Sequence, residues 1–222
     1  MQDQFALSSQ QRASKAIDNG SFKEQILPIE IKTRKGIEIF EIDEHPKPDT
    51  SIDTLSSLRT AFKKDGVVTA GNASGINDGA AALTLMSEKE LTKRNIEPMA
   101  KIVSWASVGV DPSIMGTGPI PSVRKALDKA GWSINDLDLI ESNEAFAAQS
   151  LTVLRDLKIG DLIEEKVNPN GGAISLGHPL GCSGTRILGT LLHEMREKDA
   201  ELGVATMCIG LGQGVATVVE RT

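Results

Sequence analysis

Two short glycine-rich segments near the end of the chain each carry one side chain suited to proton transfer. The first runs from Asn168 to Gly181 and contains His178, and the second runs from Cys208 to Gly214. Imidazole and thiol groups titrate close enough to neutrality to exchange protons with a substrate. Taken singly, each also has an ordinary explanation. A cysteine that ends an apolar strand is more often a core residue, and a histidine before proline is more often a structural hydrogen-bonding residue.

The spacing of His178 and Cys182, four residues apart on one predicted helix face, also fits a pair of metal ligands. A structural zinc site needs four protein ligands, and a catalytic one needs three. Because no third or fourth ligand accompanies this pair, the sequence predicts no metal site.

Two further polar segments lie at the ends of predicted strands, one at 69–79 and one at 141–147. Taken singly, the Asn143-Glu144 pair that opens a helix is usually a cap. The Gly171-Gly172 run of the first glycine-rich segment is likewise usually a tight turn. In α/β folds, however, binding and catalytic residues lie in the loops at strand ends. Four such segments in one chain therefore favour a functional site.

All four segments resemble the sequence blocks of the thiolase family, in the family's order, and the resemblance runs over essentially all 222 residues. The most specific blocks are Asn-Gly-Gly-Ala…Gly-His-Pro at 170–179 and Cys-Ile-Gly…Gly-Gln-Gly at 208–214. Gly-Asn-Ala-Ser-Gly at 71–75, followed by Asn-Asp-Gly-Ala-Ala at 77–81, is also specific. The resemblance implies an acyltransferase that makes or cleaves 3-ketoacyl-CoA thioesters.

The resemblance assigns catalytic roles to four residues. Cys208 matches the base that removes a proton α to a thioester and returns one during cleavage. Gly210 matches the residue whose backbone N–H helps to form the oxyanion hole of the acyl-enzyme. His178 matches the histidine that activates the nucleophilic cysteine and faces the thioester oxygen, and Asn143 matches the residue that holds a catalytic water. A mainly deprotonated Cys208 would need positive or dipolar neighbours, since an unperturbed thiol has a pKa near ~8.5.

The same resemblance implies where coenzyme A binds. Ser74 matches the family's contact to the pantetheine arm, and the residues expected to line that arm are Ala70, Ala145 and Phe146. Small side chains suit a narrow tunnel that must pass a flexible chain. Glu144 is expected to orient the catalytic network rather than to carry a proton. Coenzyme A is a substrate in this chemistry, so no cofactor is expected.

The family's nucleophilic cysteine belongs to an N-terminal domain that precedes these blocks, and neither Cys182 nor Cys208 stands in its sequence context. We therefore interpret the chain as a C-terminal thiolase half that is inactive alone and exposes the apolar face that meets the missing N-terminal half. Three hypotheses remain: a fragment or split-gene product that works beside its other half, a non-catalytic remnant that still binds acyl-CoA, and an assembly subunit. The first is favoured because His178, Cys208 and Asn143 are intact.

The leading activity is that of an acetyl-CoA C-acetyltransferase, which condenses two acetyl-CoA to acetoacetyl-CoA and catalyses the reverse thiolytic cleavage. The alternative is degradative cleavage of longer 3-ketoacyl-CoA. Expected partners are acetyl-CoA or another acyl-CoA, CoA, the missing N-terminal thiolase half, and further copies of the complete enzyme in a homo-oligomer.

Hydrophobic periodicity predicts the elements that hold these segments. In the N-terminal part they are a helix over 2–18, a hairpin of strands 26–32 and 36–42, a surface loop over 41–54, and a strand followed by an alanine-rich helix within 67–86. In the C-terminal part they are strands over 100–110, 138–141, 203–207 and 215–220 and helices over 119–130, 145–157 and 179–197. His45 and His193, which lack a motif, are expected to be exposed.

This order indicates an α/β fold of the thiolase-like layered type, with a mixed sheet covered by helices. We expect residues 99–222 to form the thiolase C-terminal domain. Residues 1–98 are expected to form a partial loop or CoA-binding region with linking elements.

Composition excludes several other classes of protein. A net charge of −6 without a concentrated basic face argues against nucleic-acid binding. No stretch approaches the ~20 apolar residues of a membrane span, and the polar start lacks the features of a secretory signal. Two cysteines do not make a disulfide framework, so a reduced cytoplasmic setting is expected.

Overall fold

The computed structural model describes residues 1–159 and 162–222. Its helices are α1 Gln2–Asn19, α2 Ile52–Ser56, α3 Glu88–Arg94, α4 Pro119–Ala130, α5 Ala147–Asp156, α6 Ile163–Lys166, α7 Ala173–Leu176 and α8 Leu180–Glu197. Its strands are β1 Ile29–Thr33, β2 Gly36–Phe40, β3 Ala100–Gly109, β4 Leu139–Ser142, β5 Leu202–Ile209 and β6 Gln213–Arg221. Across these two ranges, none of the helices is long and apolar enough to cross a membrane.

The central sheet has the strand order β3-β6-β5-β4. β4 and β5 run parallel, whereas β5 and β6 form an antiparallel hairpin and β6 pairs antiparallel with β3. The sheet is therefore mixed, and the predicted layered α/β architecture is confirmed. A separate antiparallel ribbon consists of β1 and β2.

Helices cover both faces of the central sheet because successive side chains of a strand point to opposite sides. Leu139 of β4 packs with Ile187 and Leu191 of α8, whereas its neighbour Ile140 packs in the other core cluster with Val123 of α4. α4 is amphipathic, begins with two prolines in its first turn and ends at Gly131, which adopts the left-handed conformation at φ 75°. The site-bearing ends of β4 and β5 are thus held between two apolar layers.

α1 brings polar side chains to the interior as well as apolar ones. Its buried residues are mostly small, and it packs against α2, α5 and α7. Small side chains allow this close approach, and Ser9 and Gln10, both buried, face the loops of the site. The division of the chain at residue 98 stays a prediction, although α1 packs directly on elements of the predicted C-terminal domain.

The structure overturns two predicted elements. Residues 67–86 contain neither the expected strand nor the alanine-rich helix, and they pair only through isolated bridges such as Ala73 with Phe146 and Ile76 with His178. Alanine content is a weak local preference that tertiary context can override. The tertiary hydrogen bonds of this segment are made before the alanine-rich stretch, by Ser74 to Ala145 and by Asn77 to His178.

Smaller differences lie at element boundaries. The hairpin begins at Ile29 rather than at residue 26, and the predicted loop over 41–54 already contains the start of α2, which Ser51 caps. α5 begins at Ala147 rather than at 145, because Phe146 is extended where it pairs with Ala73.

Candidate functional site

Asn143 and Cys208 lie at one edge of the central sheet. Ser142, the last residue of β4, is opposite Thr206 of β5, and the backbone N–H of Asn143 donates to the Thr206 carbonyl at 3.0 Å. Cys208 follows two residues further along β5, where it pairs with Gly214 of β6. Both the Asn143 and the Cys208 side chains are buried. The parallel pairing of β4 with β5 therefore unites the two sequence segments.

His178 lies in the tight connection between α7 and α8. Gly177, with φ 95°, ends α7, and Pro179 is the N-cap residue of α8. The Nε2 atom of His178 lies 3.4 Å from Asn143 Nδ2, and its Nδ1 atom lies 2.6 Å from the hydroxyl of Ser183 in the first turn of α8. The half-buried ring is thus contacted at both nitrogens, one contact being the Asn143 amide.

Glu144 ties the site to α1. Its carboxylate accepts hydrogen bonds from the Ser9 hydroxyl at 2.7 Å, the Asn168 amide at 2.9 Å and the Ile174 backbone N–H at 3.2 Å. A Cβ atom at Gly172 would collide with this carboxylate, so glycine is needed there. The fully engaged, buried carboxylate fits the predicted orienting role of Glu144.

The electrostatic environment keeps the Cys208 thiol and the His178 imidazole neutral. Burial raises the pKa of the Cys208 thiol, and a backbone hydrogen bond opposes that shift. Burial also lowers the pKa of His178, and the Arg186 guanidinium lowers it further. At neutral pH the site therefore presents a thiol and a neutral imidazole. A mainly deprotonated Cys208 would require positive influences, whereas the dominant influence of the described residues is desolvation.

Three of the four residues expected to line the pantetheine arm lie together. The backbone N–H and the hydroxyl of Ser74 both donate to the Ala145 carbonyl, at 3.0 and 3.2 Å. Phe146, next in the chain, pairs with Ala73 and has the ring of Phe62 edge-on at 6.1 Å between centroids. Ala70 lies exposed in the preceding turn.

That turn is organised by Asn72, a residue of the Gly-Asn-Ala-Ser-Gly motif to which the resemblance assigns no role. The buried Asn72 side chain accepts from the Thr69 N–H and donates to Asp3 of α1 and to the Val67 carbonyl. The backbone carbonyl of Asn72 accepts a hydrogen bond from the N–H of Ala147, the first residue of α5. The 69–75 segment is thereby fixed against both α1 and α5.

Gly210 lies exposed just beyond β5, and no described atom other than those of Gly210 and its two chain neighbours lies within 4 Å of the position that a Cβ would take. The turn that follows is tightly packed instead. Gly212 adopts φ 83° and its carbonyl accepts the Val110 N–H, while a Cβ at Gly214 would overlap the backbone of Gly118. The glycines of this block therefore serve two purposes, an open backbone at Gly210 and close approach at Gly212 and Gly214.

Two histidines differ from expectation. His45 and His193 were predicted to be exposed, and both are half-buried. The His45 ring contacts the Ile174 carbonyl and the Asn77 amide, so it belongs to the surroundings of the site. No local pattern signals this, because both contacts join residues far apart in sequence.

Among the residues that the structure describes, no group of three or more His, Cys, Asp and Glu side chains is arranged to hold a metal ion. Cys182, the second member of the possible metal pair, is buried on α8 as a free thiol. Burial raises the pKa of this thiol as well.

Two family models match the chain. The family model for the thiolase N-terminal domain matches residues 1–89, and the model for the thiolase C-terminal domain matches residues 96–221. The chain is 54% identical over 220 residues to an acetyl-CoA acetyltransferase of Paracoccus denitrificans, covering 99% of this chain and 56% of that protein. It is 57% identical over 219 residues to one of Syntrophomonas wolfei, covering 99% of this chain and 55% of that protein.

Solved structures agree with the sequences. The acetyl-CoA acetyltransferase of Bacillus anthracis superposes with a TM-score of 0.96 at 50% identity, covering 100% of this chain and 55% of that one. Human mitochondrial 3-ketoacyl-CoA thiolase in complex with CoA gives a TM-score of 0.90 at 45% identity, covering 100% and 54%. The chain spans about half the length of the curated relatives it matches. On these matches and this fold, the chain belongs to the thiolase family.

Proposed function

We propose that the chain carries the proton-transfer half of an acetyl-CoA C-acetyltransferase. The observation that carries this proposal is the contact of the Asn143 amide with the His178 ring at the sheet edge that also bears Cys208. A buried thiol beside an amide–imidazole pair offers a base together with hydrogen-bond donors for a developing oxyanion. The acetyl-CoA acetyltransferases at 54–57% identity support the choice of substrate.

In the condensation direction, an acetyl group is first held as a thioester on a separate nucleophilic cysteine. Cys208, as thiolate, removes a proton from the methyl carbon of a second acetyl-CoA, and the enolate oxygen is stabilised by His178 and by a water that Asn143 holds. The carbanion attacks the acyl thioester, and the oxyanion that forms there is stabilised by the Gly210 N–H. That attack forms the new C–C bond, and collapse of the tetrahedral intermediate breaks the C–S bond to the nucleophilic cysteine, which releases acetoacetyl-CoA and the cysteine thiolate.

Thiolytic cleavage runs these steps in reverse. Free CoA then accepts the acyl group, and Cys208 returns the proton to the leaving acetyl-CoA carbon. Because the same thiol must both take and give a proton, its pKa in the complete site has to lie near the working pH. The present environment raises that pKa, so the proposal requires further groups or substrate to complete the site.

The pantetheine arm of coenzyme A is proposed to lie along Ser74, Ala145 and Phe146, with Ala70 at the exposed entrance. The Ser74 hydroxyl and the Ala145 carbonyl already meet at 3.2 Å, which gives one polar point in an otherwise small and apolar lining. The human mitochondrial 3-ketoacyl-CoA thiolase structure was solved in complex with CoA, which supports coenzyme A as the ligand.

We further propose that the acyl-accepting cysteine is supplied by a separate thiolase half, and that the chain alone does not turn over. Its two cysteines have other assignments, Cys208 as the base and Cys182 buried on α8. The complete enzyme would then be a homo-oligomer of assembled halves.

A second activity has support from a specific observation. The similarity to human mitochondrial 3-ketoacyl-CoA thiolase makes degradative cleavage of longer 3-ketoacyl-CoA the alternative substrate class. Both activities use the same residues and differ in acyl length.

Co-expression with a thiolase N-terminal half that carries the nucleophilic cysteine tests the proposal. Cleavage of acetoacetyl-CoA by CoA is followed through the loss of thioester absorbance, beside a longer 3-ketoacyl-CoA. Turnover only with both halves, fastest on acetoacetyl-CoA, is the expected result. Faster cleavage of the longer substrate would favour the alternative, and turnover by the chain alone would refute the need for a second half.

A further inference from the structure

His45 takes part in a chain of hydrogen bonds that ends at the backbone of His178. The His45 Nε2 atom lies 3.2 Å from the Ile174 carbonyl oxygen, and its Nδ1 atom lies 3.3 Å from Asn77 Nδ2. The Asn77 Oδ1 atom accepts the His178 backbone N–H at 3.0 Å. Three loops that are far apart in sequence thereby meet through one imidazole and one amide.

The direction of every bond in this chain is determined by its two ends. A backbone N–H can only donate, so the Asn77 oxygen faces His178 and the Asn77 nitrogen faces His45. A backbone carbonyl can only accept, so His45 Nε2 must carry the proton that it donates to Ile174. His45 Nδ1 is then the acceptor for the Asn77 amide. The arrangement requires one state of His45, the neutral Nε2–H tautomer.

Two glycines leave the room that this chain of bonds occupies. A Cβ atom at Gly75 would lie 2.9 Å from Asn77 Oδ1 and would collide with the His45 ring. A Cβ atom at Gly177 would lie 2.6 Å from Asn77 Oδ1, and Gly177 also adopts φ 95°. Gly75 lies two residues before Asn77, and Gly177 lies directly before His178. The small size of both glycines is needed for the contacts of Asn77 with His45 and His178.

A second set of contacts fixes the loop of His45 to α1. The Lys47 backbone N–H donates to Gln10 Oε1 at 2.9 Å, and Gln10 Nε2 reaches the Ile174 carbonyl at 3.5 Å. Gln10 is buried, so its amide is positioned by the packing of α1. The backbone near His45 is therefore fixed to α1 through Gln10, while the His45 ring contacts Asn77.

We propose that His45 is a positioning residue for His178. As the neutral Nε2–H tautomer it orients the Asn77 amide, and that amide fixes the backbone from which the His178 ring projects toward Asn143. The hydrogen-bond chain is a property of this fold, whereas its effect on catalysis rests on the proposed function. Small displacements of a catalytic group cost much rate, so the loss of this support should slow the steps that use the His178 ring.

Nitrogen NMR of the chain itself tests the first part without any need for turnover. The protein has three histidines, so a ¹⁵N-labelled sample at neutral pH gives three imidazole spin systems, which His45→Gln and His193→Gln variants assign. We expect His45 to show a protonated Nε2 and an unprotonated Nδ1, and the His178 amide proton to show the shift of a firmly hydrogen-bonded group. A protonated Nδ1 on His45, or rapid averaging between the tautomers, would overturn the proposal.

Rescue by a matched variant tests the second part in the enzyme assembled from both halves. Glutamine at position 45 offers an oxygen to the Asn77 amide and an N–H to the Ile174 carbonyl, whereas alanine offers neither. We expect His45→Ala to slow acylation on the order of tenfold to a hundredfold, and His45→Gln to restore most of that loss. His193→Gln replaces another half-buried histidine, outside this chain of bonds, and should leave the rate unchanged.

The outcomes separate the two proposals. Equal losses in His45→Gln and His45→Ala, or no loss in His45→Ala, would contradict the positioning role even if the assembled enzyme is active. An inactive parent assembly with the expected His45 tautomer would refute the proposed function and leave the hydrogen-bond chain intact.

Discussion

The Ser183 hydroxyl lies 2.6 Å from His178 Nδ1 and 3.0 Å from the carbonyl oxygen of Pro179. Ser183 is fully buried in the first turn of α8, so this helix contacts the ring at the nitrogen that does not face Asn143. The ring of His178 is therefore held by α8 at Nδ1 and presented to the site at Nε2.

Ser183→Ala should slow acylation in the assembled enzyme, because His178 would lose the partner that orients its ring. We expect a loss on the order of tenfold to a hundredfold, because a small misplacement of a catalytic group costs up to about a hundredfold in rate. The measurement is the rate of acyl transfer from acetyl-CoA, followed by mass. Thr190→Ala is the control, since it removes a buried hydroxyl from the same helix that bonds to Gln25. Equal rates in the two variants would contradict the assigned contact.

Both cysteines of the isolated chain should alkylate slowly at neutral pH. Burial raises the pKa of Cys182 and of Cys208, so the reactive thiolate is scarcer at any given pH than for a free thiol. The rates of reaction with iodoacetamide, measured on Cys182→Ser and Cys208→Ser variants, should therefore rise only at alkaline pH. Rapid alkylation of Cys208 at neutral pH would show that its environment already favours the thiolate.

Gly172→Ala should destabilise the fold through a collision with Glu144. The carboxylate cannot move aside freely, because three hydrogen bonds hold it in a buried position. We expect a loss of about 1–3 kcal/mol in the free energy of unfolding, the usual cost of overpacking. The shift in the midpoint of urea unfolding measures this loss of stability.

Gly189→Ala is the matched control for that substitution. Gly189 lies inside α8, and no described atom outside its chain neighbours and the backbone of its own helix lies within 4 Å of its Cβ position, so alanine should gain up to ~1 kcal/mol of helix stability. Destabilisation of equal size in both variants would mean that the collision with Glu144 is not the cause.

The isolated chain should associate with itself or with hydrophobic dyes. Every residue of the β1–β2 ribbon except Thr33 is exposed, including Ile37 at 60%, and Trp105 on the edge strand β3 is 66% exposed. Exposed apolar side chains together with an open strand edge favour association. Light scattering with dye binding checks this. A monodisperse monomer that binds no dye would contradict the exposed apolar face.

The C-terminal elements were predictable because their hydrophobic pattern is continuous. The predicted strands over 203–207 and 215–220 lie within β5 and β6, and the predicted helix over 119–130 matches α4. Each of these elements buries a periodic apolar face between layers, so local pattern and tertiary structure agree. The roles predicted for Asn143, His178 and Cys208 came from resemblance rather than from pattern.

The parts that could not be predicted depend on contacts between distant residues. The alanine-rich stretch within 67–86 has helical composition, yet its neighbour Asn77 bonds to the loop of His178, 101 residues away in sequence. His45 likewise reaches Ile174, 129 residues away. No short-range pattern reports such partners, and the glycines that make room for them resemble ordinary turn glycines.

Intact-mass spectra of the enzyme assembled from both halves test the central claim most directly. The claim is that Cys208 and His178 have different roles, Cys208 in proton removal from acetyl-CoA and His178 in activation of the nucleophile. Cys208→Ser should still accept an acetyl group from acetyl-CoA and accumulate a trapped acyl-enzyme, because serine is too weak a base to complete the condensation. His178→Ala should acquire that mass slowly, because the nucleophile loses the base that activates it. If Cys208→Ser abolishes acylation while His178→Ala leaves it fast, the roles assigned to these two residues are wrong.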